Sequence, residues 1–178
     1  KVYASLVFGY DRWFTLVYQN PKIVDTDDIF LTTNLTLQRT HSLSPNDDMY
    51  LNTHISTWAS IGKRFGIHQM VSISAGYEVW QVSNPGLGRT ASVSGRDAFV
   101  SAGASYRFDT RNVREYPTSG KFIQLSVTES GLGNHAVDIT NFVQDSRFYL
   151  GLGEWAGLAF REKTNMTWGG VIPPYRKT

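Results

Sequence analysis

The sequence predicts an all-β fold, an antiparallel transmembrane β-barrel wall, on three observations. Apolar and polar residues alternate with a period of two through almost all of the 178 residues, and the i, i+3, i+4 spacing of an amphipathic helix is absent. Clusters of Gly, Asn, Asp and Pro interrupt the alternation about every 8–15 residues, as turns between strands do. The strands between them run to ~9–15 residues, beyond the ~5–6 of a typical soluble strand and enough for the ~9–11 that a tilted membrane strand requires.

In chain order the predicted strands are 2–9, 13–20, 28–40, 49–63, 68–82, 97–109, 121–129, 139–150 and 156–168. In 28–40, Ile29, Leu31, Leu35 and Leu37 oppose Thr32, Asn34, Thr36 and Gln38. In 49–63, Leu51, Ile55, Ala59 and Ile61 oppose Asn52, His54, Ser56 and Ser60. The strand 68–82 sets Val71, Ile73, Ala75, Tyr77 and Val79 against Ser72, Ser74, Gly76 and Glu78. In 97–109, Ala98, Val100, Ala102, Ala104, Tyr106 and Phe108 oppose Ser101, Gly103, Ser105 and Arg107. The strand 121–129 alternates as soon as it leaves its turn. The last strand fits least well, because Glu162 shares a face with Leu158, Phe160 and Met166; either its register slips or Glu162 lies above the bilayer.

The polar faces are small rather than rich in Lys and Glu, and the pairing of an apolar outer face with a small polar inner face is the pattern of a transmembrane barrel. Trp13, Tyr18, Trp80, Tyr106, Phe108 and Trp168 lie near strand ends and are expected in interfacial aromatic girdles. A soluble β-sandwich shares the alternation and is the alternative fold. The connections 21–27, 64–67, 110–120 and 151–155 are expected at one end of the sheet, and 10–12, 41–48, 83–96 and 130–138 at the other. A net charge of +2, spread without a basic stripe, gives no ground for nucleic-acid binding. The absence of cysteine excludes disulfides and thiol chemistry. No apolar run approaches the ~18 residues of a membrane helix. The chain opens on Lys1 with no charged-then-apolar leader, as expected after removal of a signal peptide or for an interior piece of a longer chain.

The run RFDTRNVREYPTSGKFIQLSV, residues 107–127, carries the most specific pattern. Asp109 stands two residues before Arg111, and Pro117 and Gly120 follow. An ordinary turn explains the Pro and Gly. A bidentate Asp109–Arg111 pair would in addition fix an unusually long turn, with a fork that Lys could not supply. This stretch resembles the Asp-x-Arg…Pro-x-x-Gly turn of the BamA superfamily of outer-membrane assembly and translocation barrels. YQNPKIVDTDDIFLTTNL, 18–35, is similar to that family's Asn-Pro…Asp turn. WGGVIPPYRKT, 168–178, with Gly169, Gly170, Pro173, Pro174 and Tyr175, resembles the segment that opens the family's large inward-folded extracellular loop.

The resemblance implies that the chain is roughly strands three to eleven of a barrel of about sixteen, ending before the Arg-Gly-[Tyr/Phe] tip of that loop. It implies an outer membrane of Gram-negative type, or an organelle outer membrane. It further implies a non-enzymatic protein that inserts and folds other β-barrel proteins without nucleotide hydrolysis. Its implied partners are outer-membrane lipids, client barrels and periplasmic or lipoprotein accessory subunits, with no cofactor. A polypeptide translocator of the same superfamily and a passive porin are the alternatives.

Other motifs carry less. His41, His54, His68 and His135 lack metal-ligand spacing. The glycine-rich runs at 84–90 and 130–134 precede no helix, so they read as loops rather than phosphate cradles. Ser42, Asp47 and His54 have no nucleophile elbow around the serine. The pairs Asp27–Asp28 and Asp47–Asp48 lack EF-hand spacing. The Asn34 and Asn165 glycosylation patterns fall inside predicted strands.

Overall fold

The computed structural model describes all residues except 25–27, 43–48, 87, 134–136, 154 and 177–178, and the side chains of Val24 and Pro174. Nine antiparallel strands form one sheet in sequence order. They are β1 (Val2–Val7), β2 (Arg12–Val24), β3 (Ile29–His41), β4 (Leu51–Phe65), β5 (Gln69–Val82), β6 (Arg96–Asp109), β7 (Gly120–Leu132), β8 (Asp138–Gly151) and β9 (Gly157–Val171). The sheet is not closed: among the described residues, β1 pairs only with β2, and β9 only with β8. One sheet rather than two packed ones replaces the sandwich alternative.

Pairing order alone puts the connections after β2, β4, β6 and β8 at one end, here the turn end, and the rest at the other. Register then sorts the side chains. The row Leu37–Ile55–Val79–Ala98 lies on one face, and the adjacent row Gln38–His54–Trp80–Asp97 on the other. The apolar face is open: Leu16, Ile61, Ile73, Tyr77, Phe160 and Met166 are all exposed. The polar face is the more enclosed, holding Phe30, Ser56, Glu78, Phe99, Asp97, Ser101 and Phe122 buried. The small residues that favour this face allow close strand contacts. Gly76 stands opposite Trp58, whose indole lies across the space that a Cβ on Gly76 would fill.

A small core sits on the polar face near the far end. Phe99, Val137 and Ile139 form it, with Trp80, Ala91 and Tyr175 packed against them. The β5–β6 connection folds over it because Asp97, 1% exposed, accepts hydrogen bonds from the Ala91 and Ser92 amides at 2.7 and 2.8 Å.

Several expectations change in detail. β2 does not end at residue 20 but continues past Pro21 to Val24, through a register shift between Asn20 and Val24. Proline removes a ladder donor, and a bulge is where a strand tolerates it; the Asn20 side chain meets the Lys22 amide at 3.2 Å. The Asn-Pro pair therefore lies in the strand and not in a turn. β7 and β9 likewise overrun their predicted ends to Leu132 and Val171, where the sheet bulges. The β8–β9 register runs unbroken from Trp168 to Gly157, so it does not slip at Glu162, which stays on the apolar face opposite Ser146. Register also places Trp13 and Trp80 on the polar face, away from Tyr18, Tyr106, Phe108 and Trp168.

Candidate functional site

Two constellations occupy the polar face, one at each end. At the turn end, β6 finishes on Asp109, and the chain bends so that Arg111 faces back. Arg111 Nε and Nη2 donate to Asp109 Oδ1 and Oδ2, both at 2.9 Å. Each side chain is about a tenth exposed, Arg111 at 9% and Asp109 at 10%. Arg107 adds a contact to Oδ2 at 3.3 Å. Hydrogen bonding to Asp109 raises the Arg111 pKa above the usual guanidinium value, against a smaller opposing effect of burial. The remaining Arg111 donor reaches the Arg114 carbonyl at 3.2 Å, tying the fork into the connection.

Phe122 is the platform beneath this pair. The guanidinium carbons of Arg111, Arg147 and Arg107 lie 4.6, 5.0 and 5.7 Å from its ring centre, where the electron-rich ring face attracts cations. A second carboxylate is gripped beside it. Asp145 receives two bonds from Arg147, at 2.9 and 2.6 Å, and two from Arg161, at 3.1 and 2.8 Å.

The connection itself is closed by Asn112. Its carboxamide accepts from the Thr118 and Ser119 amides and donates to the Thr118 hydroxyl. Gly120 opens β7 at φ +102°, and a Cβ there would strike the Thr110 carbonyl, so only glycine fits. Pro117 lies half-buried in the bend. The four residues of the sequence motif thus belong to one turn, with Asp109 and Arg111 in direct contact. Asn112, Phe122 and the Asp145–Arg147–Arg161 group were not anticipated. The last had a legible signal, since Asp145-x-Arg147 repeats the Asp109-x-Arg111 spacing, which places both side chains on one face of a strand.

The chain matches no protein-family model and no curated protein.

At the far end the chain beyond β9 turns back onto the polar face. Gly169 and Gly170 are the last part of β9 rather than a segment leading out of it, and the Gly170 amide meets Asp138 at 3.2 Å. Pro173 is fully buried. A short 3-10 turn, Pro174–Arg176, then presents two side chains. The Tyr175 hydroxyl donates to Asp97 at 2.9 Å, and its ring stacks on Trp80 at 4.4 Å. Trp80 stacks in turn on His54 at 3.9 Å. Arg176 Nη2 lies 2.8 and 2.7 Å from the two oxygens of Glu78, which also meets His54 at 3.3 Å. Burial, and next the Asp97 carboxylate, push the Tyr175 pKa up, so the hydroxyl remains a donor.

The remaining candidates separate. His41 pairs with Asp11, His54 belongs to the Glu78 cluster, and His68 contacts the Asp109 carbonyl. Among the described residues no group of three His, Asp or Glu is placed to hold a metal ion. Asp27, Asp47, Asp48 and His135 lie outside the described residues.

Proposed function

We propose that this chain is part of the wall of an outer-membrane β-barrel of the BamA type, acting in the insertion and folding of other barrel proteins without nucleotide hydrolysis. The carrying observation is a one-layer sheet with one open apolar face, whose terminal segment folds back onto the other face. A compact soluble monomer of 20.0 kDa exposes about 8,700 Å², whereas this chain exposes 11546 Å². Such an apolar surface is costly in water and favourable against lipid. Eight of the nine strands, β2 to β9, have 13 residues or more, which supports a membrane crossing. The resemblances around Asp109–Arg111 and Tyr175 narrow the wall to the assembly superfamily. A larger barrel of about sixteen strands would cover the two free sheet edges, as hydrocarbon requires.

The test is reconstitution of the full-length protein in liposomes with an unfolded barrel client. Faster acquisition of the client's protease-resistant form than in empty liposomes supports insertion. Delivery of a secreted polypeptide to the opposite compartment, with no effect on client folding, moves the reading to a translocator. Steady ion conductance with neither activity moves it to a porin.

A further inference from the structure

The polar face at the turn end holds a cavity of about 740 Å³, bordered by Arg64, His68, Arg107, Asp109, Arg111 and Arg114. We propose that this cavity binds an acidic, extended stretch of polypeptide. The inference deepens the barrel-wall reading, on which its placement inside the wall rests.

Charge comes first. Four guanidinium groups border the cavity against the carboxylates of Asp109 and Asp28. Arg111 is committed to Asp109, but the others keep donors in reserve. Arg107 spends one contact on Asp109, and Arg64 one on the Pro21 carbonyl at 2.7 Å. The Arg114 side chain is exposed and has no hydrogen bond among the described residues. Arg147, Arg161 and Lys163 continue the basic surface on the same face, around Asp145.

Spacing decides the kind of anion. Arg64, Met70 and Arg107 form one cross-strand row, with Met70 between the two cations. Strands are about 4.8 Å apart, so the two backbone anchors stand about 10 Å apart. Residues three apart in an extended chain of the polyproline II kind, with three residues per turn and about 3.1 Å each, share one face at nearly the same separation. Two carboxylates on such a peptide match this spacing, one to each guanidinium, whereas a single phosphate would require both long side chains to bend inward. The neighbouring Asp109 and Asp145 demonstrate how these guanidiniums grip a carboxylate, by two parallel hydrogen bonds. Met70 and the exposed Ile67 give apolar contact to the intervening residues.

The experiment uses the full-length protein in detergent micelles and a short fluorescein-labelled Ser/Gly peptide with two Asp residues three apart, read by fluorescence anisotropy. Binding should weaken about tenfold in Arg114→Gln and in Arg64→Gln, the scale of one charge-assisted contact. It should weaken similarly for a peptide with Asn in place of Asp, and stay unchanged in Arg39→Gln on the apolar face. The Arg114 side chain makes no hydrogen bond among the described residues, so its variant separates binding from folding. Wild-type affinity in both cavity variants, or equal binding of the Asn peptide, overturns the proposal. So does full competition by inorganic phosphate at matched ionic strength, which marks a small-anion site. Heat-modified electrophoretic mobility of the same samples reports the barrel separately. A folded barrel that ignores the peptide sinks the site alone, and a protein folded and monodisperse without detergent sinks the barrel reading.

Discussion

Asp109 depends on Arg111 for two of its side-chain hydrogen bonds, and both groups are largely withdrawn from water. Arg111→Ala leaves the carboxylate with the more distant Arg107 and the Arg111 amide, a loss expected to cost about 3 kcal/mol. Arg111→Lys keeps the charge but not the fork and should recover only part of it. Urea unfolding of the full-length protein, followed by heat-modifiability, checks both; an unchanged midpoint in the alanine variant removes the structural role. Tyr175 gives a pH dependence of defined sign. Its pKa is raised in the folded state, so its contribution is complete below the ordinary tyrosine value of about 10 and lost as pH rises through the higher folded value. Near-UV circular dichroism of the Trp80–Tyr175 stack should therefore change on strong alkalinisation. Tyr175→Phe should lose the hydrogen bond to Asp97, worth about 1–2 kcal/mol, together with that alkaline step. A step that persists in Tyr175→Phe assigns it elsewhere.

Among the elements, the β6–β7 connection is held largely by side chains. Asn112 supplies the acceptor that a partner strand would have given to the Thr118 and Ser119 amides. Asn112→Ala should lower stability by about 1–2 kcal/mol, and hydrogen exchange at those two amides should accelerate while β6 and β7 remain protected. Equal exchange in the variant and the parent would mean that the backbone alone holds the bend. The strands themselves were legible because period two persists through each of them, and the nine predicted segments all correspond to observed strands. Legibility ended where the period breaks. Pro21 looked like a stop, yet the bulge carries β2 beyond it; the bulges near Leu132 and Gly169 hid the ends of β7 and β9 in the same way. The turn motif was readable from Asp109-x-Arg111, since both partners are close in sequence. The Tyr175–Asp97 and Arg176–Glu78 contacts were not, because nothing local records which distant carboxylate a folded-back segment will meet. Trp13 and Trp80 were misplaced for a related reason: proximity to a strand end does not choose a face, whereas register does.

The whole molecule is a sheet whose two faces differ in chemistry, and adjacent residues of one strand can test whether those faces meet different surroundings. Ser60 and Ile61 point to opposite faces, Ser60 half-buried and Ile61 44% exposed. If the apolar face meets hydrocarbon, Ile61→Lys should cost about 2–4 kcal/mol near the bilayer midplane, while Ser60→Lys should cost less. Unfolding of both variants from lipid vesicles is the measurement. An Ile61→Lys protein as stable as its parent would place that face in water or against a polar partner. Among the described residues, only β7 to β9 interrupt the apolar face with acids, Glu129 bonded to Thr140 and Glu162 opposite Ser146.

Among the described residues each strand pairs only with its neighbours in sequence, and the bond from Arg64 to Pro21 reaches just one strand further, so the sheet can assemble like a zipper, hairpin by hairpin, with stability accumulating from near-neighbour terms. The exception is the segment after β9, where Arg176 reaches Glu78 across 98 positions and Tyr175 reaches Asp97 across 78. Closing such long loops carries an entropy cost that only prior docking of the intervening strands removes. That contact is therefore a completion signal: in a refolding time course, the Trp80–Tyr175 stack should be the last feature to form, after every ladder from β5 to β9 is protected.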